Sequence, residues 1–153
     1  IDAYQRFVGL EHRLEWVRDV GGVAYINDSK ATNDDSAAVG IRAVERPVIL
    51  LLGGRDKGGG YFKVRAEAEK KAKHVIAFGE ARRVILEAFR GFSEIGSCGS
   101  LRDAVREAYR CARTGDAVLL SPACSSFDEI KNYRERGEMY RRWVHELGVD
   151  DER

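Results

Sequence analysis

Proline, long apolar runs and an excess of either charge are all scarce in this sequence, and each absence excludes a class of protein. Two prolines in 153 residues argue against a disordered linker or a proline-rich recognition segment. The longest apolar run, Val48–Leu52, is far too short to span a bilayer, and the first residues show no secretory signal. Basic and acidic residues, 26 and 25 in number, are interspersed, so no nucleic-acid-binding surface is indicated. We therefore expect a cytoplasmic protein with neither a membrane nor a nucleic acid as partner.

The cysteines and the chain length narrow the class further. Cys98, Cys111 and Cys124 are widely spaced and odd in number, which is typical neither of a disulfide framework nor of a zinc site. We interpret all three as structural thiols and predict no metal site. With 153 residues, 44% of them hydrophobic, the chain is expected to form a single domain over residues 1–153. It lacks an initiating methionine, which indicates a fragment or a processed chain.

Strand-like and helix-like segments alternate along the chain, and this alternation predicts the fold. We expect a Rossmann-like, three-layer α/β domain with a mostly parallel sheet of about six strands and helices on both faces. The predicted strands cover residues 14–20, 23–26, 48–52, 74–78, 92–95 and 117–120. A first helix is predicted after residue 33, with Ala37, Ala38, Ile41 and Val44 on one face, and further helices over residues 62–73, 82–89, 101–112 and 130–147. In such folds ligands bind outside the carboxyl ends of the strands, which directs attention to three loops.

The first of these loops, Asn27–Asn33, precedes a predicted helix. Its lysine, its two hydroxyl groups and the helix N-terminus can together bind phosphate or carboxylate, because the backbone N–H groups and the helix dipole favour an anion. Alternatively, Thr32 or Asn33 only caps the helix and Lys30 is solvated. The residues themselves do not decide between the two interpretations.

The second loop, Gly53–Gly60, contains five glycines, which allow the backbone to approach a ligand closely. It matches neither a Walker A loop nor a GxGxxG motif, so its position after a buried strand is the main evidence for a binding role. The third loop, Ser121–Asp128, offers Ser125 and Ser126 either as caps of the next helix or as ligands of a carboxylate. Cys124 has no histidine nearby in sequence to act as its base, so we interpret it as part of the core.

Without further comparison, these patterns predict an α/β domain with an anion-binding edge formed by the three loops. The sequence supplies no evident general base, metal cluster or complete nucleotide-binding loop. A non-catalytic nucleotide- or anion-binding module would explain the same pattern and is the competing interpretation.

The three loops and their flanking segments resemble one known family, the C-terminal domain of the Mur ligases. Within that family the match is to the ligases that add D-glutamate to UDP-N-acetylmuramoyl-L-alanine, since the sister ligases carry other residues at positions 27–33. A further alternative is another amide ligase of the same superfamily with a different amino acid. Departures from the family pattern are Glu11 for a usual proline, Gly60 for a common acidic residue and Tyr133 for a frequent phenylalanine. The matching segments are Gly9–Arg13, Asn27–Asn33, Gly53–Gly58, Ser121–Asp128, Lys131–Tyr133 and Arg136–Gly137.

The resemblance implies an ATP-dependent ligase of peptidoglycan precursor synthesis. In that reaction ATP phosphorylates the carboxylate of the UDP-linked substrate, and the amine of D-glutamate attacks the acyl phosphate. ATP, converted to ADP, and Mg²⁺ would serve the intact enzyme. The UDP-binding N-terminal domain and the central domain, which carries the P-loop and the magnesium ligands, would be partners that this chain lacks. The domain alone, expected to be monomeric, would bind no cofactor and be catalytically silent.

The resemblance also implies which residues hold the amino acid. Thr32 and Lys57 would bind the α-carboxylate of D-glutamate. Ser126, with the backbone near Phe127 and Tyr133, would bind its side-chain carboxylate. We interpret the ring of Tyr133 as part of the core, with only its backbone touching the ligand.

A second set of residues is implied for the nucleotide and the chemistry. Lys30 would be the catalytic residue, lying near the phosphates or the amino acid and stabilising the tetrahedral intermediate. Arg13 and Asp28, together with His12, would contact the ribose side of the nucleotide. Packing of His12 beside Arg13 is the structural alternative for that residue.

Overall fold

Six strands and five helices alternate in the part of the chain that the computed structural model describes, residues 11–126 and 130–148. The strands are β1 (Glu15–Val20), β2 (Val23–Asn27), β3 (Val48–Gly53), β4 (Ala72–Phe78), β5 (Ile95–Cys98) and β6 (Ala117–Ala123). The helices are α1 (Asp34–Ala43), α2 (Phe62–Lys71), α3 (Arg82–Ala88), α4 (Leu101–Cys111) and α5 (Tyr133–Glu146). The predicted α/β alternation is confirmed.

The six strands form one sheet in the order β1-β2-β6-β3-β4-β5. All neighbouring pairs are parallel except β1 and β2, which form an antiparallel hairpin. The hairpin turns at Gly21 and Gly22, whose φ angles of 59° and 82° favour glycine. The sheet is therefore mostly parallel, as predicted, and the carboxyl ends of β2, β6 and β3 lie side by side at one edge.

Helices cover both faces of the sheet because both faces are apolar. Every residue of β3 is buried, and its side chains alternate between two clusters. Leu50 and Leu52 pack with α1, α2 and α3, whereas Ile49 and Leu51 pack with α4 and α5. Each fully buried aliphatic side chain contributes about 1.5–3 kcal/mol to stability. The central strands therefore hold the loops at their ends in fixed positions.

Two predicted boundaries between helix and strand are wrong. The helix predicted over 62–73 ends two residues earlier, because Ala72 is already extended and pairs with β3. The strand predicted over 92–95 begins only at the last of these residues. Phe92 follows α3 so closely that its ring packs edge-on against Phe89, which keeps it out of the sheet.

Strand β6 runs further than predicted, through Pro122 to Ala123. Its pairing with β3 advances from Leu51–Leu120 to Gly53–Ala123, so β6 carries one more residue than β3 over this stretch. Such a bulge allows a proline, which has no N–H to donate, to lie within a paired strand.

The last helix begins later than predicted, at Tyr133 rather than near residue 130. Its N-cap is Asn132, whose side chain accepts a 2.9 Å hydrogen bond from the N–H of Glu135. The cap is therefore neither of the two serines considered from the sequence. Within the described residues, no helix is long and apolar enough to cross a membrane.

Candidate functional site

The three polar loops meet at the edge where β2, β6 and β3 end. The N–H of Ala123 donates to the carbonyl of Ala31 at 2.9 Å, which joins the third loop to the first. Arg55 and Ser125 exchange two backbone hydrogen bonds, of 2.8 and 3.2 Å, which join the second loop to the third. The expectation that the loops lie together is confirmed for their described residues.

The first loop is built on buried polar groups. Asn27 and Ser29 are completely buried, and the N–H of Ser29 donates to Asn27 Oδ1 at 3.1 Å. Ser29 Oγ donates to the carbonyl of Tyr133 at 2.7 Å and accepts from Arg136 Nε at 3.0 Å. Of the two hydroxyls that the sequence offered for anion binding, that of Ser29 is therefore used inside the protein. This corrects the initial interpretation of the loop.

The outer half of the first loop combines both sequence-based interpretations. Asn33 caps α1, because its Oδ1 accepts a 2.8 Å hydrogen bond from the N–H of Ser36. Thr32 is half-buried and Lys30 is exposed just before the helix N-terminus. The cap is therefore confirmed, and it leaves the lysine side chain available to an anion.

Three of the residues predicted to contact a nucleotide line one cavity. Arg13, Asp28 and Lys30 surround a volume of about 270 Å³. The other lining residues are Leu14, Ala31, Ser36, Val39 and Gly40. A cavity of about 310 Å³ lies between α4 and the end of α5, and one of about 800 Å³ lies between the β1–β2 hairpin and the end of α4. None of the predicted site residues lines either of them.

Asp28 is the buried acid of this cavity, with 4% of its surface exposed. Its Oδ2 accepts a 2.7 Å hydrogen bond from Ser121 Oγ, and its Oδ1 accepts one of 3.2 Å from the N–H of Leu14. Burial raises the pKa of Asp28 to about 7, because desolvation outweighs these hydrogen bonds and the charge of Arg13. The carboxyl group can therefore hold or release a proton near neutral pH.

His12 is buried and belongs to the base of the first loop. Its Nδ1 lies 3.0 Å from Asn27 Nδ2, and its carbonyl accepts from the N–H of Lys30 at 3.0 Å. Because Asn27 Oδ1 accepts from Ser29, the amide orientation is fixed and Nδ2 donates to the imidazole. The neutral ring of His12 therefore carries its proton on Nε2. The ring lies edge-on to Tyr133, with centroids 6.2 Å apart, and His12 is absent from the lining of the cavity around Arg13, Asp28 and Lys30.

One grouping with metal-ligand character occurs near His12. Ligand atoms of Glu11, His12 and Glu138 lie within 4.8 Å of one another. Nε2 of His12 has no hydrogen-bond partner among the described residues, although Glu11 Oε1 is 3.2 Å away. A protonated Nε2 has no lone pair for a cation, so the tautomer that Asn27 imposes argues against a metal here.

The second loop presents Lys57 to solvent on a glycine-rich turn. Asp56 shapes the turn, since its carboxylate accepts from the N–H of Gly58 at 3.2 Å and from the hydroxyl of Tyr61 at 2.7 Å. Gly58 has a φ of 81°, which disfavours other residues. Lys57 therefore lies on a loop whose base is fixed while its ammonium group stays exposed.

The remaining residues predicted to hold the amino acid lie on the third loop and at the start of α5. Ser126 is buried, with 2% of its surface exposed, and Phe127 lies outside the described residues. The ring of Tyr133 is only half-buried and belongs to neither apolar cluster, so its interpretation as core is wrong. It is the first residue of α5, and its ring contacts His12 and the guanidinium of Arg134 instead.

Comparison with known proteins assigns the family. The Mur ligase, glutamate ligase domain family matches residues 12–124. The chain belongs to this family. Curated relatives of this Mur ligase domain include two proteins named UDP-N-acetylmuramoylalanine–D-glutamate ligase. The one from Desulfatibacillum aliphaticivorans is 45% identical over 95% of this chain and 32% of its own length. The one from Caldicellulosiruptor bescii is 41% identical over 92% of this chain and 31% of its own length.

The chain thus spans about a third of the length of the curated relatives it matches. Solved structures with the same fold include UDP-N-acetylmuramate-alanine ligase from Thermotoga maritima, with a TM-score of 0.65 and 12% identity over 95% of this chain and 32% of that chain. A bifunctional folylpolyglutamate synthase/dihydrofolate synthase from Yersinia pestis CO92 has a TM-score of 0.62 and 15% identity over 89% of this chain and 31% of that chain. At these identities the structural likeness concerns the fold alone.

Sequence reasoning assigned no role to Arg136, yet it is central to this Mur ligase domain. Its side chain is 1% exposed, and its guanidinium donates to Ser29 and to the carbonyl of Cys124. The available signal was an arginine adjoining the apolar stripe of α5, directly before Gly137. A guanidinium in such a position needs several acceptors, and loop backbones are the usual source of them.

Gly137 makes room for the base of the first loop. A Cβ atom at this position would lie 2.1 Å from His12 Nδ1 and 3.0 Å from Asn27 Nδ2. The glycine therefore allows α5 to pack directly against the two side chains that carry the loop.

The cysteines of the Mur ligase domain are structural. Cys124 is 1% exposed, belongs to an apolar cluster, and has its Sγ 3.1 Å from the hydroxyl of Tyr61. Burial raises the pKa of the Cys98 and Cys111 thiols, which disfavours the reactive thiolate.

Proposed function

We propose that this chain is the amino-acid-binding C-terminal domain of an ATP-dependent ligase that joins D-glutamate to UDP-N-acetylmuramoyl-L-alanine. The observation that carries the proposal is the meeting of three loops with lysine and hydroxyl groups at one sheet edge. It is supported by relatives of that name, 41–45% identical over more than nine tenths of the chain. The product would be a peptidoglycan precursor, made in the cytoplasm by a monomeric enzyme.

The site has a nucleotide half, which consists of Arg13, Asp28 and Lys30 with His12 behind them. Two exposed cations beside a buried carboxyl group suit a nucleotide, since the cations attract phosphates and the carboxyl can accept from a ribose hydroxyl. Lys30 would neutralise charge that develops on the reacting phosphate and carboxylate groups. ATP would supply the phosphoryl group for the acyl phosphate. The ligands of Mg²⁺ would lie in the central domain of the intact enzyme.

The amino-acid half consists of Thr32, Lys57, Ser126, Phe127 and Tyr133. Lys57 and Thr32 would hold the α-carboxylate, and Ser126 the side-chain carboxylate, together with backbone groups of the last two residues. The carbonyl of Tyr133 already accepts from Ser29, so its N–H, in the first turn of α5, is the backbone group suited to an anion. Held in this way, the amine of D-glutamate would be oriented for attack on the acyl phosphate.

By itself the domain would be catalytically silent. Its role would be to close over the central domain and bring D-glutamate to the acyl phosphate, a hinge motion of a common type. Its partners would be its own N-terminal and central domains.

The test is phosphate release from ATP by the full-length ligase, with UDP-N-acetylmuramoyl-L-alanine and a panel of amino acids. We expect release only with D-glutamate. Release with another amino acid would retain the ligase class and overturn the substrate. Silence of the folded protein with every amino acid would favour the non-catalytic anion-binding module.

A further inference from the structure

We propose that Ser29 and Arg136 form a positioning clamp for the amino-acid half of the site. A separate pair, Asp28 and Ser121, positions the nucleotide half. The inference rests on the proposed function, because it concerns how the two halves of that site are held. It assigns a role to three residues that the sequence comparison left without one, namely Ser29, Ser121 and Arg136.

The clamp consists of one buried guanidinium beneath two loops. Arg136 Nη2 donates to the carbonyl of Ser29 at 2.8 Å, and Nε donates to Ser29 Oγ at 3.0 Å. Its Nη1 donates to the carbonyl of Cys124 at 3.1 Å. The planar fork of arginine makes these contacts in two directions at once, which the single ammonium group of lysine cannot reproduce.

The clamp also reaches the second loop and the start of α5. A Cβ atom on Gly54 would lie 3.1 Å from Arg136 Nη1 and 2.2 Å from the carbonyl oxygen of Ser125, so the second loop passes directly over the guanidinium. Ser29 Oγ donates in turn to the carbonyl of Tyr133. Every segment that supplies the amino-acid half therefore contacts the clamp.

The nucleotide half is held by other side chains. Asp28 is fixed by Ser121 Oγ from β6 and by the N–H of Leu14 before β1. Gly40 of α1 closes this pocket, because a Cβ atom there would lie 2.3 Å from Asp28 Oδ2. Ser121 thus bonds to Asp28, whereas Arg136 bonds to the next residue, Ser29. Removal of the Ser121 hydroxyl leaves the hydrogen bonds of Arg136 in place, and the converse also holds.

Two serines provide a matched test, since both are completely buried and each substitution to alanine removes one hydroxyl group. In the full-length ligase, we expect Ser29→Ala to raise the KM for D-glutamate about tenfold while the KM for ATP stays within about twofold. Ser121→Ala should show the reverse pattern. Arg136→Lys should raise the KM for D-glutamate at least as much as Ser29→Ala. Arg142→Lys, an exposed position on the same helix, is the control and should change neither constant.

A purely structural role predicts a different result. General destabilisation lowers the folded fraction, seen as a lower Tm and a lower apparent kcat, without separating the two KM values. The clamp is refuted if Ser29→Ala changes the KM for D-glutamate and the KM for ATP by the same factor. It is also refuted if Arg136→Lys retains the wild-type KM for D-glutamate.

The wild type separates this inference from the proposed function. If the wild type uses an amino acid other than D-glutamate, the substrate proposal fails and the variants are measured with that amino acid. A folded wild type that is inactive with every amino acid refutes both proposals.

Discussion

The first and second loops follow β2 and β3, the two strands that flank β6, and each carries one lysine of the proposed site, yet they are built differently. The first loop rests on Asn27, Asp28 and Ser29, which are almost fully buried and hydrogen-bonded to three separate elements. In the second loop the residues from 57 to 60 are exposed, and its glycines supply backbone freedom instead.

This difference fits the two different roles proposed for Lys30 and Lys57. Lys30 extends from a loop whose backbone is fixed by buried polar groups. A fixed position suits a lysine that stabilises charge developing in a transition state. Lys57 extends from an open turn, which suits a group that captures a ligand and adapts to it. Substitutions that affect one loop and spare the other test this comparison.

Among single substitutions, the largest expected loss of stability comes from crowding the base of the first loop. Gly137→Ala places a methyl group 2.1 Å from His12 Nδ1, so the loop base must shift, and we expect a loss of about 2–3 kcal/mol in the free energy of unfolding. Gly59→Ala, in the second loop, meets nothing within 4 Å and should change stability by less than about 0.5 kcal/mol. Urea unfolding of both variants measures the difference. Equal stabilities would mean that the loop base is not packed as described.

The buried acid of the first loop should make stability depend on pH. The folded pKa of Asp28, about 7, lies above its ordinary value of 3.8, so the native state binds the proton more tightly. Its contribution is therefore full below about pH 4 and is lost as pH rises through 7. The slope is at most about 1.4 kcal/mol per pH unit.

Asp28→Asn, which cannot titrate, is the comparison for this effect. Relative to the variant, the wild type should lose stability as pH rises from 4 to 7, measured as unfolding midpoints in urea at several pH values. A constant difference between the two proteins across this range would contradict a raised pKa.

Loss of the lysine of the second loop should appear in ligand binding and leave stability almost unchanged. Loss of a charge-assisted hydrogen bond to a carboxylate costs about 1.5–3 kcal/mol, so Lys57→Ala should raise the KM for D-glutamate at least about tenfold in the full-length ligase. Lys30→Ala should instead lower kcat. If the KM for D-glutamate is unchanged in Lys57→Ala, that residue does not belong to the site.

The sheet, its helices and the meeting of the loops were predictable because strand and helix patterns are local features of the sequence and because the ends of parallel strands share one edge. The run at 48–52 was predicted to be a strand buried on both faces because it is aliphatic throughout, and all of β3 is buried. The carboxyl-end rule then placed the loops. The boundaries that failed, at Ala72 and Phe92, depended on pairing and packing with distant residues.

The interior of the site was not predictable in the same way. The sequence shows that Ser29 and Thr32 both have hydroxyl groups. Only the fold shows that the hydroxyl of Ser29 is already hydrogen-bonded to Tyr133 and Arg136. The same holds for Arg136, whose partners lie about a hundred residues away or at a loop backbone. Contacts between a helix and remote loops leave no periodic signal in one sequence.

The direction of β1 decides where the chain enters the sheet relative to the three loops. Because β1 runs antiparallel to β2, its first residue, Glu15, pairs with Asn27 at the edge where the loops meet. A parallel first strand of this length would place the entry of the chain about 20 Å away, at the opposite edge. The chain instead enters the sheet beside the three loops, and Arg13 lies both next to that entry and in the cavity that it lines with Asp28 and Lys30. The start of the first strand, the ends of β2, β6 and β3, and the cavity beside Arg13 therefore share one edge, so a change in how the chain enters β1 would reach the three loops directly.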